Sequence, residues 1–171
     1  MVDMSQISVL ILMGSDSDAP VMQAAVDVLR ELQIPCDMTV ASAHRSPERV
    51  MRLVREAPGR GVKLFIVGAG AAAHLGGVVA AHTTLPVIGV PIDSSALKGL
   101  DALLSTVQMP PGVPVATVSI GKPGATNAGV LAAQILAVGD PAVAARLDSY
   151  KKKLADKVEQ AAAKLQQTTT S

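Results

Sequence analysis

The 171-residue sequence has very few aromatic residues and a single cysteine. It has no tryptophan, one tyrosine and one phenylalanine, so its core must be built from Ala, Val, Leu, Ile and Met. One cysteine, Cys36, excludes a disulfide framework and favours a reducing, cytoplasmic compartment. Cys36 opens a predicted strand, where a buried and unreactive thiol is the common state. We therefore expect no chemistry from this thiol.

The sequence also lacks a charge imbalance. Its formal net charge is +1, with acidic and basic residues interspersed. Nucleic-acid and membrane surfaces need a concentrated basic face, so we expect neither partner. The basic run 151–153 lies on a mixed-charge helix and is interpreted as a solvated face.

One stretch, residues 64–92, has no Asp, Glu, Lys or Arg and is long enough to span a bilayer. Its glycines, its two histidines and Pro86 favour two buried strands with a short helix between them. The short polar segment 1–7 does not resemble a secretory signal. The chain is 49% hydrophobic, which predicts that some apolar surface is buried in a homo-oligomer.

Strand-like and helix-like segments alternate along the chain. The predicted strands are residues 8–13, 36–41, 64–67, 87–90 and 115–120. The predicted helices follow Asp18 and then cover residues 47–57, 72–81, 96–107, 125–138 and 141–167. This alternation predicts one α/β domain over residues 1–171, with a core at 8–139, built as a three-layer αβα sandwich around a parallel sheet. The last helix, with apolar residues near heptad spacing, is expected to pack against another subunit.

In open parallel sheets, ligands bind outside the carboxyl ends of the strands, so the loops there are the candidate sites. The first loop, residues 14–18, offers Ser15, Ser17 and free helix N–H groups to an anion, and Asp18 to sugar hydroxyls. It lacks the Gly-Lys-Ser/Thr of a P-loop. A simple capped turn is the alternative interpretation.

The second loop holds His44 and Arg45, directly after the second predicted strand. Arginine binds phosphate through two parallel hydrogen bonds, and an imidazole exchanges a proton near neutral pH. This position at a strand's carboxyl end favours a functional pair over a surface His-Arg pair.

The third loop, residues 68–74, is built from glycine and alanine and ends at His74. Small residues allow a ligand to approach the backbone. The loop also satisfies G-x-G-x-x-[GA], with Asp93 about 20 residues further on, which is the pattern of an NAD site. That pattern is weak on a third strand. His74 is interpreted equally as a ligand contact or as a satisfied histidine at a helix start.

The remaining candidates have structural interpretations. His82 lies at a predicted helix end, and Asp93 and Asp101 look like helix caps or solvated acids. The three histidines and the acids show no zinc-like spacing, so we predict no metal. The absence of Gly-x-Ser-x-Gly argues against an α/β-hydrolase.

Six motifs in a fixed order resemble one family. They are GSDSD at 14–18, SAHR at 42–45, GAGAAAHL at 68–75, PVIGVP at 86–91, VQMPPGVPV at 107–115 and IGKPGATNAG from Ile120. Over residues 9–138 the chain resembles the bacterial class I N5-carboxyaminoimidazole ribonucleotide mutases of purine biosynthesis. The family has Pro where this chain has Gly76, which makes the start of that helix looser.

The resemblance implies a flavodoxin-like fold, a homo-octamer and a reaction without metal or cofactor. The reaction moves a carboxylate from the exocyclic nitrogen of an aminoimidazole ribonucleotide to ring carbon C4. The implied acid-base residue is His44. The predicted substrate-binding residues are Ser15, Ser17, Asp18, Ser42, Ala43, Arg45, Gly70, Ala71, His74 and Leu75.

Two other functions remain open from the sequence. One is a carboxylase that adds carbon dioxide directly to aminoimidazole ribonucleotide, since it shares the SAHR-type histidine. The other is a non-catalytic nucleotide- or NAD-binding module that uses the third loop.

Overall fold

A computed structural model describes residues 6–169, so residues 1–5 of the polar N-terminal segment lie outside it. The strands in this range are β1 (Val9–Met13), β2 (Cys36–Val40), β3 (Leu64–Gly70), β4 (Val87–Ile92) and β5 (Ala116–Thr117). The α-helices are α1 (Ala19–Glu31), α2 (Pro47–Glu56), α3 (Leu75–Ala81), α4 (Leu100–Val107), α5 (Gly121–Ala137) and α6 (Pro141–Thr169). Short 3₁₀ turns lie at Asp16–Asp18 and Pro58–Arg60.

The five strands form one parallel sheet in the order β2-β1-β3-β4-β5. Strand β1 lies between β2 and β3, and its Val9 is aligned with Cys36 of β2 and Leu64 of β3. The chain moves outward from β1 to β2 and then returns to the other side as β3. The loops after β1 and β3 therefore lead to opposite faces of the sheet and leave a crevice between them. The flavodoxin-like prediction is confirmed.

The sheet buries both of its faces, because the side chains of β1 alternate between two apolar clusters. Val9, Ile11 and Met13 pack in the cluster that contains α1, α5 and the start of α6. Leu10 and Leu12 pack in the cluster that contains α2, α3 and α4. All five side chains are buried, which explains why this strand reads as one uninterrupted apolar run.

Small residues let α1 and α5 approach closely. The buried residues of α5 are glycines and alanines: Gly124, Ala125, Ala128, Gly129, Ala132 and Ala133. A Cβ added at Gly129 would lie 3.0 Å from the Ala25 carbonyl oxygen and 2.9 Å from the Val28 Cβ. Small side chains at this contact, instead of aromatic ones, thus allow the backbones of α1 and α5 to lie close together.

Several predicted boundaries were wrong. Strand β3 continues three residues beyond Val67, because Gly68 and Gly70 are aligned with Val90 and Ile92 of β4. Helix α4 starts at Leu100 instead of residue 96, because the residues just before it adopt the left-handed conformation, with φ of 50° at Lys98 and 83° at Gly99.

The largest error concerns the last strand and the helix after it. Strand β5 has two residues instead of six, since only Ala116 and Thr117 are aligned with β4 at this sheet edge. Helix α5 starts at Gly121 instead of residue 125. Helix α3 begins at Leu75 instead of residue 72, and Gly76 is its second residue.

The first part of helix α6 packs against the core. Val143 and Leu147 are buried against the core, and the Arg146 Nε donates a hydrogen bond of 2.6 Å to the Leu32 carbonyl. Lys153 Nζ lies 3.0 Å from Glu31 Oε1. Every described side chain from 151 to 168 is exposed. The distal part of the helix is therefore exposed along its length.

Candidate active site

A cavity of about 200 Å³ opens at the carboxyl ends of the strands. It lies in the crevice between β1 and β3 that the strand order creates. Its walls come from the loops after β1, β2, β3 and β4, which are far apart in the sequence. The cavity therefore collects the polar residues that the sequence places at separate strand ends.

The loop after β1 is held by its own hydrogen bonds. Ser15 caps the 3₁₀ turn: its side chain accepts from the Ser17 N–H at 3.3 Å, while its own N–H donates to Asp18 Oδ2 at 3.2 Å. The Ser17 hydroxyl lies 2.8 Å from the Ser15 hydroxyl. This reciprocal capping fixes two hydroxyls and the start of α1 at the cavity rim.

Asp18 is the charged residue most deeply placed in this site, with 6% of its surface exposed. Burial raises the pKa of the Asp18 carboxyl above its usual range, while the Ser15 N–H and the Arg45 charge act in the opposite direction. A carboxylate that is buried with few partners is suited to accept hydrogen bonds from ligand hydroxyls.

Arg45 connects two loops across the crevice. Its guanidinium Nη2 donates to the Gly14 carbonyl at 2.7 Å, and its Nε donates to the Ser42 hydroxyl at 3.3 Å. The Ser42 hydroxyl also accepts the Arg45 backbone N–H at 3.2 Å. Because two nitrogens of the guanidinium group are hydrogen-bonded to the protein, its charge is oriented over the cavity before any ligand binds.

The two cavity histidines touch each other. His44 Nε2 lies 2.8 Å from His74 Nδ1, and the ring centroids are 4.9 Å apart in an edge-to-face arrangement of 83°. One of these nitrogens carries the hydrogen and the other accepts it. The contact joins the loop after β2 to the start of α3, although the two residues are separated by 30 positions.

The loop after β3 forms the apolar part of the wall. Ala69, Gly70, Ala72 and Leu75 line the cavity, whereas Ala71 is exposed, has φ of 50° and does not line it. The left-handed backbone at Ala71 turns the chain from the strand end toward His74. Gly70 has no room for a Cβ, because one would collide with the Ser94 hydroxyl.

The comparisons with known proteins agree on one family. The family model described as AIR carboxylase matches residues 8–157. The chain belongs to this family. The chain is 57% identical over 141 residues to the N5-carboxyaminoimidazole ribonucleotide mutase of Bacillus subtilis, covering 82% of this chain and 87% of the relative. The resemblance inferred from the six motifs is confirmed.

Other relatives are similar over slightly longer alignments. The mutase of Pyrococcus horikoshii is 51% identical over 157 residues, covering 92% of this chain and 88% of the relative. Among solved structures, Treponema denticola PurE aligns with a TM-score of 0.84 and 30% identity, covering 94% of this chain and 99% of that chain. The sequence and the backbone are therefore both similar to known proteins over nearly the whole chain.

In this AIR carboxylase family member, the structure brings nearly all of the predicted site residues together. The predicted residues that line the cavity are Ser15, Ser17, Asp18, Ser42, Ala43, His44, Arg45, Gly70, His74 and Leu75. The lining residues that were not predicted to bind substrate are Gly14, Ala69, Ala72 and Ser94. The first three adjoin predicted residues. Ser94 comes from the loop after β4, and applying the strand-end rule to that fourth strand would have found it.

The residues given structural interpretations lie outside the cavity lining. The His82 Nδ1 is 2.8 Å from the Val78 carbonyl at the end of α3, and Asp93 is exposed. In the described residues, no cluster of three or more His, Cys, Asp or Glu side chains could hold a metal ion. The helices of residues 6–169 include none that is long and apolar enough to cross a bilayer.

Proposed function

We propose that this chain converts N5-carboxyaminoimidazole ribonucleotide to 4-carboxy-5-aminoimidazole ribonucleotide in de novo purine biosynthesis. The observation that carries the proposal is the contact between His44 and His74, at the edge of a cavity that also holds an oriented arginine. The proposal is further supported by the relatives of 50–57% identity that carry the mutase name. As a single catalytic domain, the chain would need no metal or cofactor for this step.

The phosphate end of the substrate would bind at the loops after β1 and β2. Arg45 offers a planar pair of donors, Ser15 and Ser17 offer hydroxyls, and the nearby start of α1 contributes its positive dipole end. Asp18 would accept hydrogen bonds from the ribose hydroxyls. Ser42 would hold Arg45 in the binding orientation.

His44 would act as the acid and then as the base. It donates a proton to the exocyclic nitrogen while the bond from that nitrogen to the carboxylate breaks and releases carbon dioxide. Ring carbon C4 then attacks the trapped carbon dioxide, and His44 takes back the proton that C4 loses. The proton and the carboxyl group are thus conserved, which is why the reaction needs no co-reactant.

His74 would support this proton transfer. Its Nδ1 lies 2.8 Å from His44 Nε2, so the two rings can share a hydrogen bond and His74 can orient the imidazole of His44. The small apolar wall formed by Ala69, Gly70 and Ala72 suits an uncharged intermediate that must not escape to solvent.

We also propose that the protein works as a homo-oligomer in the cytoplasm, an octamer by family likeness. Two surfaces support assembly. The α4 stripe consists of Leu97, Leu100, Leu104 and Val107, which are 49–62% exposed. The α6 stripe consists of Leu154, Val158 and Leu165, which are 45–69% exposed. Contiguous apolar surfaces of this kind mark association sites.

The direct carboxylase is the second candidate, favoured by the description of the matching family model. It would use the same histidine and cavity, with carbon dioxide entering from solvent. An NAD-binding module fits less well, because the first two glycines of the G-x-G pattern lie inside β3 and are aligned with β4. They are therefore not free to cradle a pyrophosphate.

The deciding experiment is turnover of N5-carboxyaminoimidazole ribonucleotide, followed by ultraviolet absorbance without ATP or added bicarbonate. We expect conversion by the parent protein and a loss of at least about 100-fold in kcat for His44→Asn, the usual scale for removing an acid-base residue. His82→Asn, at an exposed helix end outside the cavity, is the matched control and should keep parental turnover. Activity only with aminoimidazole ribonucleotide plus bicarbonate would assign the protein to the carboxylases.

A further inference from the structure

Ser94 is the cavity residue whose purpose the site described above does not explain. It follows β4 and is the lining residue contributed by that strand's loop. Its side chain makes no hydrogen bond within the described residues, whereas Ser15, Ser17 and Ser42 are each bonded to their own loops. A hydroxyl that faces a ligand cavity without a partner is available to the ligand.

A turn directly after β4 places this hydroxyl over the end of β3. The Ser94 N–H donates to the Ile92 carbonyl at 3.0 Å, which turns the chain back as soon as β4 ends. The turned side chain then occupies the space that a Cβ on Gly70 would need. Glycine in a strand weakens it, and here the missing side chain makes room for Ser94.

Ser94 is also far from the anion-binding loops. The donors for phosphate follow β1 and β2, and β4 is two strands away from β1. At the usual spacing of neighbouring strands, that separation is about 10 Å. On the β3 and β4 side of the cavity, the polar lining side chains are His74 and Ser94, surrounded by alanine, glycine and leucine.

We infer that Ser94 is a substrate-binding residue whose hydroxyl donates to the carboxylate on the aminoimidazole end. This inference rests on the proposed function, because only that substrate carries a phosphate at one end and a movable carboxylate at the other. Ser94 would hold the aminoimidazole end beside His44 and His74, while the phosphate binds about two strands away.

The test compares two ligands with Ser94→Ala. One ligand is 4-carboxy-5-aminoimidazole ribonucleotide, and the other is ribose 5-phosphate, which lacks the aminoimidazole end. We expect calorimetric affinity for the first to fall about ten-fold, the effect of losing a hydrogen bond to a charged group, and affinity for the second to stay unchanged. The kcat/KM for the mutase reaction should fall by a similar factor.

Two control variants define the result. Ser95→Ala changes the adjacent serine, whose hydroxyl accepts the Leu97 N–H at 3.1 Å and does not line the cavity, so it should bind both ligands normally. Ser17→Ala lies at the phosphate end and should weaken both ligands. Circular dichroism and the Tm of each variant check that folding is intact.

The outcomes separate the inference from the function on which it rests. If the parent turns over the substrate but Ser94→Ala binds both ligands like the parent, or weakens both equally, the inference is wrong and the proposed function stands. If the parent neither converts nor binds the ribonucleotide, the proposed function is wrong and the role of Ser94 falls with it.

Discussion

At the scale of single residues, the burial of the charged Asp18 carboxylate lowers the stability of the folded protein. The raised pKa of its buried carboxyl means that the folded protein binds a proton there more tightly than the unfolded chain does. The stability that this proton provides is complete below the ordinary pKa of aspartate and is lost as the pH rises through the higher pKa of the folded protein. A residue kept at such a cost is typical of a binding site.

Asp18→Asn should therefore raise the Tm at pH 7, because the amide still accepts the Ser15 N–H and carries no charge to bury. The gain should shrink as the pH falls toward the ordinary pKa of aspartate. Thermal unfolding of both proteins between pH 4 and pH 8 measures the difference. Substrate affinity should fall in the same variant, since an amide accepts hydrogen bonds from ribose hydroxyls less strongly than a carboxylate.

The control is Asp148→Asn, which removes the same charge from an exposed position on α6. It should shift the Tm little at any pH, as exposed substitutions usually do. Equal shifts in the two variants would show that net charge, and not the burial of Asp18, sets the effect.

At the scale of elements, the contact between α1 and α5 depends on the absence of side chains. Gly129→Ala would normally stabilise a helix by about 1 kcal/mol, because alanine is the better helix former. Here the new methyl group would meet the Ala25 carbonyl and the Val28 side chain. We expect the close contact to dominate, with a net loss of about 1–3 kcal/mol in the free energy of unfolding.

Chemical denaturation measures this loss, and Gly139→Ala is the matched control. A Cβ at Gly139, just beyond the end of α5, would meet no atom within 4 Å. That variant should keep parental stability or gain a few tenths of a kcal/mol. A stabilised Gly129→Ala protein would mean that the two helices are free to move apart.

The sequence predicted the elements that are set by local signals. Ser46-Pro47 starts α2 as expected, and the buried apolar run of β1 was found correctly. The two strands whose ends it placed wrongly are set by contacts distant in sequence. Strand β5 is short because only two residues are aligned with β4, and β3 is long because its glycines are aligned with the same strand.

The site shows the same difference between residues marked by local signals and residues placed by distant contacts. The loops after β1 and β2 carry recognisable polar motifs, and their residues were predicted and meet in the cavity. Ser94 was missed because the strand-end rule was applied only to the first three strands. The turn at Ile92 and the space left by Gly70 then bring its side chain into the wall. The contact between His44 and His74 likewise depends on where the helical connections place β2 and β3 in the sheet. No local sequence pattern shows that placement.

At the scale of the whole molecule, the exposed apolar stripes predict assembly. Leu100→Gln/Leu104→Gln changes the α4 stripe, and Leu154→Gln/Val158→Gln changes the α6 stripe. Each pair should lower the mass measured by sedimentation velocity at micromolar concentration while leaving the helical content unchanged, because glutamine is a good helix former. Burial of these side chains between subunits supplies about 25 cal/mol per Å² of apolar surface, and glutamine loses most of that.

Lys152→Gln/Lys157→Gln is the matched control on the same helix, because both lysines are exposed and charged. It should sediment like the parent. A parent protein that sediments as a monomer would contradict the proposed assembly, and the two stripes would then need another explanation.

The parallel order of the strands also governs when the cavity can exist during folding. β1 is the first strand in the chain but lies inside the sheet, between β2 and β3, and β4, which begins at Val87, pairs with β3. Each parallel pairing must close a long crossover before its contacts form, which makes such sheets slow to fold. Recovery of turnover after dilution from denaturant therefore reports the closing of the last crossovers, later than the formation of helices.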